Sequence, residues 1–128
     1  MIKRIDGVLL FSENAKKLAD FYVEKVGMKV TMEGEMGEKD EKFYGFEFGK
    51  EASLFIMTHS KVNGKNKNPE RYIMNFEVDD IDKEIGKFKR AGVKVVKDMY
   101  HLEGYGYIAT FEDVDGNFFQ LVQVKETN

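Results

Sequence analysis

Hydrophobic and polar positions along the chain switch between a period near two and a period near 3.6, and they do so twice in the same order. Ile5 to Phe11 is a short, mostly apolar run that predicts a strand buried on both faces. Ala15, Leu18, Ala19, Tyr22 and Val26 then recur at helical spacings of three and four, with Asn14 ahead of them as N-cap and Gly27 behind as a stop. Met28 to Met32, Phe43 to Phe48 and Ala52 to Thr58 read as strands, and Gly34 to Lys42 as a charged, glycine-containing loop. A Lys- and Asn-rich stretch from His59 to Arg71, holding the only proline, Pro69, reads as a linker.

Beyond the linker the order repeats. Tyr72 to Val78 predicts a strand, Asp80 an N-cap, Ile81, Ile85 and Phe88 a helical stripe, and Ala91-Gly92 its stop. Val93 to Val96, Tyr107 to Phe111 and Phe118 to Val124 are strands, with a loop at His101 to Gly106. Asn14 superposes on Asp80 with an offset of 66 and Gly27 on Gly92 with an offset of 65, so the second helix is one residue shorter. The fold class is α+β: two tandem βαβββ modules, at about 1–58 and 72–125, joined by linker 59–71 in a single domain. Such modules cover one sheet face with a helix. The expected result is a curved mixed sheet, helices outside, whose inner face closes into a core or stays open as a concave pocket.

The closing hairpin carries a resemblance. Asp113-Val114-Asp115-Gly116-Asn117 is strong turn chemistry, and it is followed by Phe118-Phe119-Gln120-Leu121. This pattern resembles the last hairpin of the glyoxalase, bleomycin-resistance and extradiol-dioxygenase superfamily, the vicinal oxygen chelate proteins. Ile5 to Leu10, Phe21-Tyr22, Val26-Gly27 and Phe76 to Asp82 resemble its other signatures in order and spacing.

The resemblance implies a site on four strands, where the family's metalloenzymes place His or Glu ligands. Here the matching positions are Gly7, Phe55, Ile73 and Gln120. Glycine, phenylalanine and isoleucine bring no donor atom, and one amide oxygen is a poor ligand for a transition metal. No metal or other cofactor is therefore expected, and the metal-free bleomycin-resistance proteins, which sequester a small molecule, are the nearest functional pattern. The resemblance also implies a homodimer.

Strand alternation from those four positions puts Leu9, Phe11, Ser53, Met57, Asn75, Glu77, Phe118 and Val122 on the same face. The expected ligand-binding set is Phe11, Phe55, Met57, Asn75, Glu77, Phe118 and Gln120, with Tyr105 and Tyr107, beside Tyr100, near a loop at the pocket mouth. The aromatic members have a plainer explanation as core packing, and Glu77 as a solvated strand end. His59 and His101 lie in predicted loops as surface residues. An enzymatic alternative keeps a divergent divalent-metal site for a glyoxalase-like lyase, an isomerase or a dioxygenase. A metal-free form of it uses Glu77 as general base. A third possibility is a structural domain whose inner face is filled by its own side chains.

Composition narrows the partners. A 128-residue chain with net charge −3 lacks the basic face that nucleic acid selects. With zero Cys there is no disulfide, thiolate zinc site or Cys nucleophile. No apolar run approaches the ~20 residues of a membrane span, and no signal-peptide pattern opens the sequence, so a cytoplasmic location is expected.

Overall fold

A computed structural model describes residues 1–35 and 42–125. The chain divides into two compact units, with the boundary between Gly64 and Lys65. Each is built the same way.

In the first unit β1 (Gly7–Ser12) leads into α1 (Ala15–Phe21), which continues as a π-helical turn at Tyr22–Val26. Strands β2 (Met32–Glu35), β3 (Lys42–Phe46) and β4 (Ser53–Thr58) follow, in the sheet order β1-β4-β3-β2. In the second unit a 3₁₀ turn at Pro69–Arg71 precedes β5 (Met74–Glu77) and α2 (Ile81–Ala91). Then come β6 (Lys94–Leu102), β7 (Gly106–Glu112) and β8 (Phe118–Val124), in the order β5-β8-β7-β6. The outer pairs β1–β4 and β5–β8 are parallel and the rest antiparallel. The expected single curved sheet is thus two four-stranded mixed sheets, because the ladder hydrogen bonds form two separate sets of four.

The helix starts are tied down identically. The side chains of Asn14 and Asp80 accept from the N–H groups of Lys17 and Lys83, both at 3.1 Å. The first helical N–H of each unit, Ala15 or Ile81, donates to a side chain of the last strand, Thr58 Oγ1 at 3.2 Å or Gln123 Oε1 at 2.9 Å. N-terminal N–H groups have no partner inside the helix, so these contacts fix each helix on its sheet. Both helices stop at a left-handed glycine, Gly27 (φ 88°) and Gly92 (φ 75°). The π turn accounts for the extra residue of the first helix, since a π turn is one residue inserted into an α-helix.

Apolar side chains on the helix side make most of each core, and in the second unit Ile108 and Val122 of the opposite face are buried as well. Leu18, Tyr22, Phe46, Leu54 and Ile56 are buried in the first unit, and Ile81, Phe88, Phe111, Phe119 and Leu121 in the second. The Phe88 and Phe111 rings meet edge to face at 4.9 Å.

Four expected strands change. β1 begins only at Gly7, leaving Ile5 outside it, and is not buried on both faces: Leu9 is 56% exposed, because a helix covers only one side of the sheet. β2 starts at Met32, where Met28 to Met32 was expected to be a strand. The Met28 N–H donates to Tyr22 O to close the π turn, and sheet bonding begins only when Thr31 N–H donates to Gly45 O. Gly34, Glu35 and Lys42 of the expected loop belong to strands, and 36–41 lie outside the described residues. β6 runs nine residues instead of stopping at Val96, and it absorbs His101 from the expected loop. Two bulges carry it past the point where alternation fails. The expected linker is also not wholly free: Asn66 N–H donates to Asp115 O at 2.8 Å, and its amide donates to Asn117 Oδ1 at 3.0 Å.

Candidate functional site

Each sheet has one face turned away from its helix, and register fixes which residues share it. In the first unit Leu9 pairs with Phe55, Phe55 with Gly45 and Gly45 with Met32, a straight row across β1, β4, β3 and β2. Phe11, Met57 and Phe43 form the next row. The Phe55 ring lies over two glycines. A Cβ on Gly45 would meet it at 3.0 Å, and one on Gly7 at 3.5 Å. Phe43 stands edge to face with Phe55 at 6.4 Å, and Phe11 with His59 at 5.2 Å. The face is apolar, aromatic and thin where the glycines lie.

At one end of this face Arg4, Asp6, Glu47, Lys50, Ser53 and Phe55 line a cleft of about 600 Å³. Arg4 is already engaged there, by Asp6 Oδ1 at 3.3 Å and by Lys50 O at 3.4 Å.

In the second unit the equivalent row is Asn75, Gln120, Thr110 and Lys97, on β5, β8, β7 and β6. Gln120 Nε2 donates to Thr110 Oγ1 at 3.0 Å. Glu77, Val122, Ile108 and Tyr100 form the row on one side, and Phe118, Glu112 and Lys94 the row on the other. Lys94 is paired with Glu112 at 3.4 Å, and Lys97 Nζ sits 4.2 Å from the centre of the Tyr100 ring. Lys94, Lys97 and Tyr100 are three apart, not two, because each bulge of β6 inserts one residue.

Phe11, Phe55 and Met57 therefore share the helix-free face of the first unit, and Asn75, Glu77, Phe118 and Gln120 that of the second. Two tyrosines do not join them. Tyr107 pairs with Gln123 and His101 on the helix side of β7, three positions from Thr110 and so on the opposite face. Its ring lies 5.0 Å from that of His101, in a separate cleft of about 350 Å³ with Glu77, Asp79, Gln123 and Lys125. Tyr105 sits in the β6–β7 turn, where its carbonyl accepts from Lys125 N–H. Glu77 is exposed at the end of an edge strand. Thr110, Lys97 and Tyr100 complete the second face. Thr110 was reachable from the sequence as the repeat partner of Gly45; Tyr100, expected near the mouth loop, stands on the sheet face, and the bulges hid Lys97 from any alternation rule.

A family model described as the Glyoxalase/Bleomycin resistance protein/Dioxygenase superfamily matches residues 4–121. The chain belongs to this superfamily. It is 30% identical over 121 residues to the Uncharacterized protein YetH of Bacillus subtilis (strain 168), covering 94% of this chain and 98% of that one. Among solved structures it is similar to a glyoxylase/bleomycin resistance protein/dioxygenase domain from Frankia sp. EAN1pec, with TM-score 0.77, 16% identity, and coverage of 98% of this chain and 100% of that chain. It is similar also to TnmS3, an antibiotic binding protein from Streptomyces sp. CB03234, with TM-score 0.74, 22% identity, and coverage of 97% and 98%. These likenesses fix the fold.

The residues at the four family ligand positions do not fit a metal ion. Gly7 and Phe55 bring no donor and the Phe55 ring occupies the space beside Gly7. Ile73, just before β5, brings none either, and Gln120, whose nitrogen donates to Thr110, offers a single neutral amide oxygen, a poor ligand for a transition metal. Among the described residues no group of three or more His, Asp or Glu is placed to hold a metal elsewhere. No described helix is long and apolar enough to cross a membrane.

Proposed function

We propose that the protein is a metal-free small-molecule-binding protein of the bleomycin-resistance type, which sequesters a small aromatic ligand and works as a cytoplasmic homodimer. The observation that carries this reading is the Phe55 ring laid over Gly7 and Gly45. Where relatives bring a metal-binding carboxylate or imidazole, this chain presents a phenyl face beside Leu9, Phe11, Phe43 and Met57. Such a surface stacks on an aromatic group and gives it area without a reactive centre. The antibiotic-binding relative of the same fold supports a role in sequestration. A chain with zero Cys gains nothing from an oxidising compartment, which supports the cytoplasmic location.

The test is a fluorescence titration with the neutral probe N-phenyl-1-naphthylamine, alongside light scattering on the eluting protein. Saturable binding that weakens about fivefold to tenfold in Phe55→Ala, by a protein of twice the chain mass, is expected. Absence of binding, or binding indifferent to Phe55, sinks the ligand reading, and a monomer at all concentrations sinks the dimer.

A further inference from the structure

We infer that the row Asn75–Gln120–Thr110–Lys97 binds the carboxylate of an aromatic ligand. The inference rests on the small-molecule-binding reading and adds the chemical class of the ligand. Its starting point is the repeat. Leu9, Phe55, Gly45 and Met32 have no nitrogen or oxygen in their side chains, and all four equivalents in the second unit have one. A polar row across the middle of a sheet face is not needed for the fold, since the first unit forms the same sheet without it.

The row is built of donors. Gln120 donates to the hydroxyl oxygen of Thr110, which is only 5% exposed, so Thr110 orients the Gln120 amide and the reachable donors are those of Gln120, Asn75 and Lys97. Asn75, beside Gln120 on the edge strand, adds two amide hydrogens and is exposed. Lys97 closes the row with a full positive charge. The Tyr100 ring, 4.2 Å from its ammonium, holds it over the sheet.

Charge decides for an anion. Lys94 on the same strand is neutralised by Glu112, whereas among the described residues Lys97 has no carboxylate within ion-pair reach. Glu77 lies in the neighbouring row but on β5, three strands from β6, which is roughly 14 Å at the spacing of paired strands. It does not cancel Lys97. Tyr100 and Phe118, on the same face in the flanking rows, offer aromatic surface to the body of the ligand. A carboxylate meeting an ammonium together with neutral donors makes the short, charge-assisted contacts that discriminate strongly by charge.

The experiment titrates 2-naphthoate and 2-naphthylmethylammonium into the full chain, as wild type, Lys97→Met, the residue of the first unit, and Lys97→Arg. Wild type is expected to prefer naphthoate about tenfold, Lys97→Met to lose that preference through weaker naphthoate binding alone, and Lys97→Arg to keep most of it. Circular dichroism confirms that each variant is folded. Naphthoate binding unchanged in Lys97→Met, or equal affinity of the wild type for both probes, overturns this inference and leaves the aromatic-binding reading standing. Failure of wild type to bind either naphthyl probe, or N-phenyl-1-naphthylamine, overturns both.

Discussion

In the first unit the central row Leu9–Phe55–Gly45–Met32 crosses the sheet with no side-chain nitrogen or oxygen; in the second, Asn75–Gln120–Thr110–Lys97 crosses it with one at every position. The helix sides tell the opposite story. Phe46, Leu54 and Ile56 correspond to Phe111, Phe119 and Leu121, all buried and apolar. The fold is held where helix meets sheet, so that side keeps its chemistry. The other face differs between the units: in the first it is aromatic, with Leu9 and Met32 exposed, and in the second a hydrogen-bonding row lies beside the buried Ile108 and Val122.

The hairpins that close the two units differ in the same way. In the second, Asp113 is 3% exposed and its carboxylate accepts from Asp115 N–H, Asn117 N–H and the Asn117 amide at 2.9 to 3.1 Å. Gly116 has φ 79°, and a Cβ there would lie 3.2 Å from Lys65 Cβ. The residue in the place of Asp113 in the first unit is Phe48, which is exposed. Asp113→Ala is accordingly expected to have the largest effect, a loss of about 2–4 kcal/mol, because buried donors lose a charged acceptor. Phe48→Ala should change stability by less than about 1 kcal/mol. Urea unfolding of both variants measures the gap, and equal losses would break the distinction between the hairpins.

An exchange of rows sharpens it further. Gly45→Thr puts a Cβ 3.0 Å from the Phe55 ring and 3.2 Å from Met32 Cβ, which should cost about 1–3 kcal/mol through overpacking. With Phe55→Gln added, the ring is gone and the Thr–Gln bond of the second unit becomes available. The double variant should recover about 1 kcal/mol relative to the sum of the single changes. Simple additivity in a double-mutant cycle would mean that the two rows are not interchangeable solutions of one backbone.

Much of this was legible in the sequence, and the rest was hidden for identifiable reasons. Asn14, Gly27, Asp80 and Gly92 marked the helix ends because caps and left-handed glycines are local chemistry. The offsets of 66 and 65 marked the repeat, and the one-residue discrepancy became the π turn at Tyr22–Val26. Alternation outward from the family positions, Phe55 and Gln120 among them, placed Met57, Asn75 and Phe118 on their faces because β4, β5 and β8 are regular. It failed in β6, where bulges change the period, so Lys97 was not among the expected residues, Tyr100 was expected at the mouth loop and not on the sheet face, and the strand looked shorter than it is. Tyr107, expected at the pocket mouth, lies at an odd separation from Thr110 and so falls on the helix side. The start of β2 was invisible because Met28 is consumed by a helix-end hydrogen bond that periodicity does not encode.

Our central proposal is that this chain takes no metal at the family's four ligand positions, where the Phe55 ring lies beside Gly7. Thermal unfolding of chelator-stripped protein, supplied in turn with manganese, iron(II), nickel and zinc, tests it most directly. An unchanged midpoint with every metal is the predicted result. A saturable rise with any one of them, about 2.7 kcal/mol at hundredfold saturation, would contradict it.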